Sequence, residues 1–294
     1  MSLFLNILPK QSNERIMDMN LPDHATLQFI GKKLNSALEA RMLIRHVTGL
    51  SDADLITMNS IELNENQKAT LDNMISQRLN GRPISKIIGK KEFYGRDFIV
   101  SDDVLDPRPD SEILIEEVLK QCNSSKHYNI LDLGTGSGCL ALTLLAQLPN
   151  TQAVATDISD GALSVAKENA DNLNLFDRIE FMKSNWFDDV EGQFDIIISN
   201  PPYIESIVIP TLEKEVKSYD PMGALDGGED GLNPYKVILP QIRNYLTPNG
   251  FFVLEHGYNQ QDDIIKLAQN EGFTNISGRK DYNQNDRIII AKAM

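Results

Sequence analysis

The feature that most narrows the fold is a rhythm in the second half of the chain. Five short apolar runs, "NILDL", "QAVATD", "RIEFMK", "FDIIIS" and "FFVLEH", recur between residues 129 and 256, each bounded by loop or helix signals. Runs this short and this apolar suit strands buried on both faces, and strands alternating with helices specify a parallel α/β sheet. The tail "FTNISGRKDYNQNDRIIIAK" adds two β-rich runs joined by a polar loop, the pattern of an antiparallel hairpin closing one edge of that sheet.

The first third has a different period. From Asp23 to Gly49, the residues Leu27, Ile30, Leu34, Leu38 and Met42 recur at helical spacing, which predicts one long amphipathic helix with Asp23 as N-cap and Gly49 as its stop. A shorter helix is expected after Ser51 or Asp52. Another is expected over about 64–80, with Leu71, Met74, Ile75 and Leu79 on one face before "NGRP" ends it. "ISKIIGKKEFYGRDFIV" then reads as β-rich runs broken by Gly89 and Gly95, a hairpin. The expected organisation is a helical bundle over 1–83, a hairpin linker over 84–105 and an α/β domain over 106–294.

Composition excludes several classes. The start, "MSLFLNILPK" and then "QSNERIMDMN", holds no long apolar stretch, so a soluble cytoplasmic protein without a membrane span is expected. Cys122 and Cys139 lack paired spacing, and His24, His46, His127 and His256 form no cluster, so neither a disulfide framework nor a metal site is expected. His256 beside Glu255 reads as structural. The net charge of −14 is uneven: residues 1–95 carry 12 Lys and Arg against 10 Asp and Glu, leaving −16 on the remainder. Such a segment repels phosphate backbones, which argues against direct nucleic-acid binding.

"NILDLGTGSGCLALTLLAQL" is a strand running into a glycine loop and then a helix, with Gly134, Gly136 and Gly138 where the chain must turn and admit a ligand. No Gly-Lys-Ser/Thr follows, so it is not a phosphate-binding P-loop. The third glycine of a dinucleotide fingerprint is replaced by Cys139. Asp157 ends the next strand about twenty residues on, where a carboxylate can accept from both hydroxyls of a ribose. Asp132, inside an otherwise apolar strand, would be costly without a partner. An adenosine cofactor without a pyrophosphate is the simplest fit. In "SNWF", Asn185 offers a carbonyl that could accept from an adenine amino group, and Trp186 is either a stacking partner for adenine or a core aromatic.

"ISNPPY" places Asn200, Pro201, Pro202 and Tyr203 directly behind an apolar strand. Neither proline can donate to a sheet, so the chain leaves it in a stiff corner. The side-chain oxygen of Asn200 and the carbonyl of Pro201 can accept both N–H groups of a planar amide or amine, drawing its lone pair out of conjugation, while Tyr203 packs against the planar group. That arrangement suits methyl transfer to an amide or aromatic amine and needs no strong general base.

The glycine loop with Asp132, Asp157 and "SNW" resembles the S-adenosylmethionine-binding core of the Rossmann-like class I methyltransferases. Adding "GRPISKIIGKKEFYGRDF", "PRPDSE", "LEHGYNQ", the helical bundle and "SNPPY", the chain resembles the release-factor glutamine methyltransferases, the HemK/PrmC family, from the bundle almost to the end. The resemblance implies methylation of the glutamine of the Gly-Gly-Gln motif in peptide chain release factors; the bundle is expected to recognise the protein substrate, and a monomer is expected. It also implies that Gly134, Thr135, Gly136, Ser137, Gly138, Asp157, Trp186 and Asn200 contact the cofactor and that residues 200–203 hold the glutamine. "VLDPRPDSE" departs mildly from the family form at Asp106 and Ser111. Arg108 and Glu112 are candidate supports at the mouth of the site, with Asp110 expected to cap the helix carrying Glu112. Lys90 and Lys91 beside Phe93 and Tyr94 are a candidate protein contact or a solvated edge, and "DGGEDGLNPY" reads as a glycine loop before a helix. The rival reading is a nucleic-acid amino-group methyltransferase.

Overall fold

The computed structural model describes residues 24–25, 27–57 and 61–293, so Asp23 and the N-terminal segment lie outside the described residues. The chain divides into two compact units with the boundary between Asn80 and Gly81.

In the first unit, a short ladder pairs β1 (His24–Ala25) with β2 (Ile61–Glu62), and the helices are α1 (Leu27–Leu34), α2 (Ala37–Thr48), α3 (Asp52–Thr57) and α4 (Glu65–Leu79). The single long helix expected before Gly49 is two helices. Asn35 adopts a left-handed backbone with φ 54°, and Ser36 starts a new helix by accepting from the Glu39 N–H at 3.2 Å. A left-handed residue cannot continue an α-helix, and serine is a favoured N-cap, so the break is local chemistry that periodicity alone does not register. The break also re-phases the buried stripe, which passes through Ala40, Leu43 and Ile44 while Leu38 and Met42 face solvent. Gly49 ends α2 at φ 72° as expected. Asn64 and Gln67 form a reciprocal capping box at the start of α4. That helix buries Leu71, Met74 and Ile75, but Leu79 is exposed. A two-pronged ion pair between Arg78 and Glu39, with both contacts at 2.8 Å, ties α4 to α2.

The second unit opens with α5 (Ile84–Ile88), a helix where a strand was expected. Pro83 sets the entering φ and Gly89 the left-handed exit, and Ile84, Ser85 and Lys86 are buried, so flanking residues and burial outweigh the β preference of the isoleucines. The hairpin itself is β3 (Lys90–Phe93) and β4 (Arg96–Ile99). It is part of the core: Phe93 and Phe98 are buried and meet edge to face at 6.1 Å, so Phe93 is not a surface contact.

After α6 (Glu112–Gln121) come β5 (Asn129–Leu133), α7 (Cys139–Gln147), β6 (Gln152–Asp157), α8 (Asp160–Asn172), β7 (Ile179–Lys183) and β8 (Phe194–Ser199). An excursion with β9 (Ile204–Glu205), α9 (Lys214–Tyr219) and β10 (Asp226–Gly228) leads to α10 (Asn233–Tyr245), β11 (Leu246–Glu255), α11 (Gln261–Asn270), β12 (Ser277–Lys280) and β13 (Asp286–Lys292). Seven strands form one sheet in the order β12-β13-β11-β8-β5-β6-β7; the five from β11 to β7 are mutually parallel, and β13 and β12 close the β11 side antiparallel as the tail pattern predicts. Side chains alternate between faces: Ile130, Ile196, Ile198, Phe251 and Val253 pack in the core cluster that includes α6 and α7, while Leu131, Leu133, Ile197, Phe252 and Leu254 pack in the one that includes α10 and α11. No described helix is long and apolar enough to cross a membrane.

Candidate active site

Chain order reverses at β5: β6 and β7 lie on one side, β8 and β11 on the other. Loops leaving the carboxyl ends of β5 and β8 therefore diverge from adjacent points and open a crevice, the usual ligand position in such sheets. Leu133 pairs with Ser199, and the Ser199 hydroxyl donates to the Leu133 carbonyl at 2.6 Å. The glycine loop and the Asn-Pro-Pro-Tyr corner, 66 residues apart at this contact, thus begin side by side.

A cavity of about 380 Å³ fills the crevice, within the range of small-molecule sites. Gly134, Thr135, Gly136 and Ser137 form one wall, and Asp157 stands beside them. Gly134 and Gly136 have φ of 69° and 57°, so the loop needs residues without a Cβ. Asp157 both anchors and lines: its Oδ2 accepts from the Gly136 N–H and its Oδ1 from the Ser159 N–H, each at 2.9 Å. Asn185 and Trp186 contribute a further wall. The Asn185 Nδ2 donates to Asp188, which leaves its Oδ1 as the acceptor. Trp186 is held at φ 56°, a strained backbone for an aromatic, and its ring lies 3.6 Å from where a Cβ at position 134 would stand.

An expected cofactor contact, Gly138, and a candidate support, Asp132, stand off the cavity wall. Gly138 caps α7 at φ 80°, and a Cβ there would meet Leu142 and Ala166, so the visible demand on it is helix packing. Asp132 is fully buried on β5, and its Oδ2 accepts from the Thr135 hydroxyl at 2.6 Å. Its Oδ1 has no hydrogen-bond partner among the described residues, and burial pushes its carboxyl up to about 7. Its visible contact braces the loop.

At the corner, Asn200 and Pro202 line the cavity, whereas Pro201 is buried and Tyr203 points away into the core. The Asn200 Nδ2 lies 3.3 Å from the Ser111 Oγ. Burial pushes the Tyr203 phenol up, and its hydroxyl accepts from the Arg287 Nη1 at 3.4 Å, so the ring is fixed from behind the corner. Its backbone is fixed as well. Gln260 donates through Nε2 to the Tyr203 carbonyl at 2.9 Å and to the Gly231 carbonyl at 3.2 Å, and accepts through Oε1 from the Gly257 N–H at 2.9 Å. A Cβ at Gly227 would stand 2.8 Å from the Tyr203 Cα, so part of "DGGEDGLNPY" must be glycine to let the corner dock.

Arg108 lines the cavity and pairs with Asp220 at 2.8 Å, which Lys86 also approaches at 3.4 Å. Glu112 is not on the wall. It accepts from the Tyr94 N–H at 3.0 Å and holds the hairpin turn, where Tyr94 has φ 50°. Asp110 does not cap α6: it lies in a 3-10 turn (Pro109–Ser111) and faces Arg287 at 3.6 Å. The turn already begins at Pro109, with Arg108 in the cap position, so Asp110 lies inside it and not at its N-cap. Lys90 is exposed and Lys91 half-buried. His256 is buried with its Nδ1 2.8 Å from the Gly257 carbonyl oxygen. Sequence reasoning missed Pro221, Gly223 and Ala224, which close the cavity, and the bracing roles of Ser111, Glu255, Gln260 and Arg287. Ser111, Glu255 and Gln260 lie within "PRPDSE" and "LEHGYNQ", but those stretches carry no local pattern that reveals which groups they touch.

The wall of backbone, a carboxylate and an aromatic, with no cationic side chain in the loop 134–138, fits an adenosine cofactor lacking a pyrophosphate. Comparison with known proteins agrees. A family model described as "Methyltransferase small domain" matches residues 92–212, and one described as "PrmC N-terminal domain" matches 24–89. The chain is 40% identical over 256 residues to a "Release factor glutamine methyltransferase" of Agrobacterium fabrum, covering 86% of this chain and 89% of that one. A protein of the same name from Caulobacter vibrioides is 38% identical over 255 residues, with 86% and 88% covered. A "Bifunctional methyltransferase" of Rickettsia typhi is 41% identical over 271 residues, and this chain spans 52% of its length. Among solved structures, a methyltransferase from Pyrococcus furiosus superposes with TM-score 0.53 at 20% identity, covering 76% of this chain and 100% of that one, a likeness of fold.

Proposed function

The chain belongs to the release factor glutamine methyltransferase family, and from that premise we propose that it methylates the side-chain amide nitrogen of the glutamine in the Gly-Gly-Gln motif of peptide chain release factors. The observation that carries the reading is the juxtaposition of Asn200, behind β8, with the glycine loop behind β5 on the wall of one cavity. S-adenosylmethionine, when bound, supplies a methyl group on a positively charged sulfur, open to attack by a nitrogen lone pair. Gly134, Thr135, Gly136, Ser137, Asp157, Asn185 and Trp186 would hold it, with the remaining acceptor capacity of Asp157 directed at the ribose.

An amide nitrogen is a poor nucleophile because its lone pair is delocalised into the carbonyl. The Asn200 Oδ1 and the Pro201 carbonyl would accept its two N–H bonds, orient the lone pair and favour charge developing on nitrogen. Two successive prolines restrict the backbone that presents this carbonyl. The proton is lost afterwards to water. The helical unit would recognise the protein substrate, and the −16 charge of the chain beyond residue 95 disfavours a phosphate-bearing one.

The test incubates the protein with labelled S-adenosylmethionine and a bacterial release factor, wild type or with its Gly-Gly-Gln glutamine replaced, and locates label by peptide mass spectrometry. Label on that glutamine alone is expected. Absence of label there, with cofactor binding intact, would overturn the substrate assignment.

A further inference from the structure

An asparagine amide can present either Oδ1 or Nδ2 to a cavity. A half-turn about its last torsion exchanges them at nearly the same volume, yet only Oδ1 can accept an N–H. Something around Asn200 must choose. Its amide faces the Ser111 Oγ at 3.3 Å, and Ser111 is only 3% exposed, at the junction of the 3-10 turn and α6. The Glu255 carboxyl, at the carboxyl end of β11, lies near enough to the Ser111 and Tyr203 hydroxyls for both to favour its charged form. Glu255 is 1% exposed, and its Oε2 has no hydrogen-bond partner among the described residues.

A hydroxyl has one proton to give. Beside a carboxylate, which only accepts, Ser111 gives that proton to Glu255, and its Oγ is then left as an acceptor. An acceptor there requires the NH₂ of Asn200, which turns Oδ1 to the cavity. We propose that Ser111 and Glu255 are positioning residues that fix the orientation of the Asn200 amide, so that its oxygen meets the acceptor substrate. The proposal rests on the reading of Asn200 as the residue that holds the glutamine amide.

The arrangement is sensitive to pH. Burial lifts the Glu255 carboxyl to about 7, against the hydrogen bond from Ser111, the charge of Arg287 and the hydrogen bond from Tyr203, with Asp110 adding to the lift. Tyr235 and Cys139 are the other titratable groups coupled to it. Once protonated, Glu255 donates to Ser111, whose own proton then turns to Asn200 and favours the opposite flip. Turnover should therefore fall as pH drops below about 7.

The experiment compares wild type with Ser111→Ala, Ser111→Thr and Glu255→Gln for transfer to a release factor, with S-adenosylmethionine affinity measured by calorimetry. Loss of one such hydrogen bond is expected to lower kcat about tenfold in Ser111→Ala and Glu255→Gln, with cofactor affinity changed less than about twofold. Ser111→Thr, which keeps the hydroxyl, should return kcat to within about twofold of wild type. Glu255→Gln should lose the acid limb of the pH profile. Wild-type kcat in Ser111→Ala, no rescue by threonine, or an unchanged acid limb in Glu255→Gln would each overturn the proposal. Orientation is also readable without turnover. In ¹⁵N spectra, the Asn200 side-chain amide, assigned by its loss in Asn200→Ala, should move in Ser111→Ala, and with pH in wild type but not in Glu255→Gln. A resonance that stays put overturns the proposal, whereas an inactive wild type whose resonance moves as expected counts only against the substrate assignment.

Discussion

The two walls of the cavity are built on different principles. The glycine-loop wall is held by neighbours in the chain: Thr135 bonds to Asp132 three residues away, Gly136 to Asp157 at 21, and Ser159 to Asp157 at two. The Asn-Pro-Pro-Tyr corner is held from afar: Asn200 meets Ser111 at 89 residues, the Tyr203 carbonyl meets Gln260 at 57, and its hydroxyl meets Arg287 at 84. Local contacts close small loops, while contacts between distant segments wait on the assembled sheet. The cofactor wall is thus a nearly self-contained strand-loop-helix device, and the acceptor wall is a property of the whole second unit. The lesson is that one wall can be damaged without the other.

Asn200→Ala is the strongest break. It should cost about 10²- to 10³-fold in kcat, the loss typical of one group aimed at developing charge, while calorimetry finds S-adenosylmethionine binding within about twofold of wild type. Normal turnover in that variant would remove the corner from the chemistry.

Asp132→Asn probes the brace on the cofactor side. Because the folded-state pKa of about 7 lies above the carboxyl's ordinary 3.8, the folded form retains a proton that the unfolded chain releases, so stability falls as pH rises between them. Removing this titration should recover about 2–3 kcal/mol of stability lost between pH 5 and pH 8, read from urea unfolding across that range. Glu255 contributes a slope of the same sign, so the variant retains part of the dependence. An identical slope in the variant would show that Asp132 does not carry the proton.

Asp157→Ala should weaken cofactor affinity about 10- to 100-fold, the worth of charge-assisted hydrogen bonds, and leave kcat at saturating cofactor within severalfold. A kcat collapse at saturation would mean that the two walls are coupled after all. The smallest effect is expected from Gln260→Ala, which touches nothing in the cavity wall. Freeing the Tyr203 carbonyl should lower kcat about three- to tenfold with cofactor affinity unchanged, and an unaltered kcat would show that the corner needs no distant clamp.

The strands, their alternation with helices, the closing hairpin and the glycine loop were all legible in the sequence, because short continuous apolar runs and glycines before a helix are short-range signals. The split of the first helix at Asn35 and the helix over "ISKII" were not legible from apolar spacing or β propensity, since caps and burial override both. Among the site residues, Asp157, Trp186 and Asn200 could be proposed because each sits at a strand end or just past it. Ser111 could be quoted but not given a role, because nothing in "PRPDSE" discloses that its hydroxyl lies between an amide 89 residues later and a carboxylate on β11.

By itself, the sequence determined the chemistry on offer: a parallel sheet, a glycine loop with an acid after the following strand, and a stiff amide-bearing corner, each encoded within a few consecutive residues. Only the tertiary structure decided that loop and corner share a cavity, because Leu133 and Ser199 pair at the point where strand order reverses. It also decided that Gly138, Asp132 and Tyr203 brace the site from behind the wall. The physical reason is one of range: torsional preference and hydrophobic period act over a few residues, whereas the proton placement that orients Asn200 depends on groups drawn together from four separate segments.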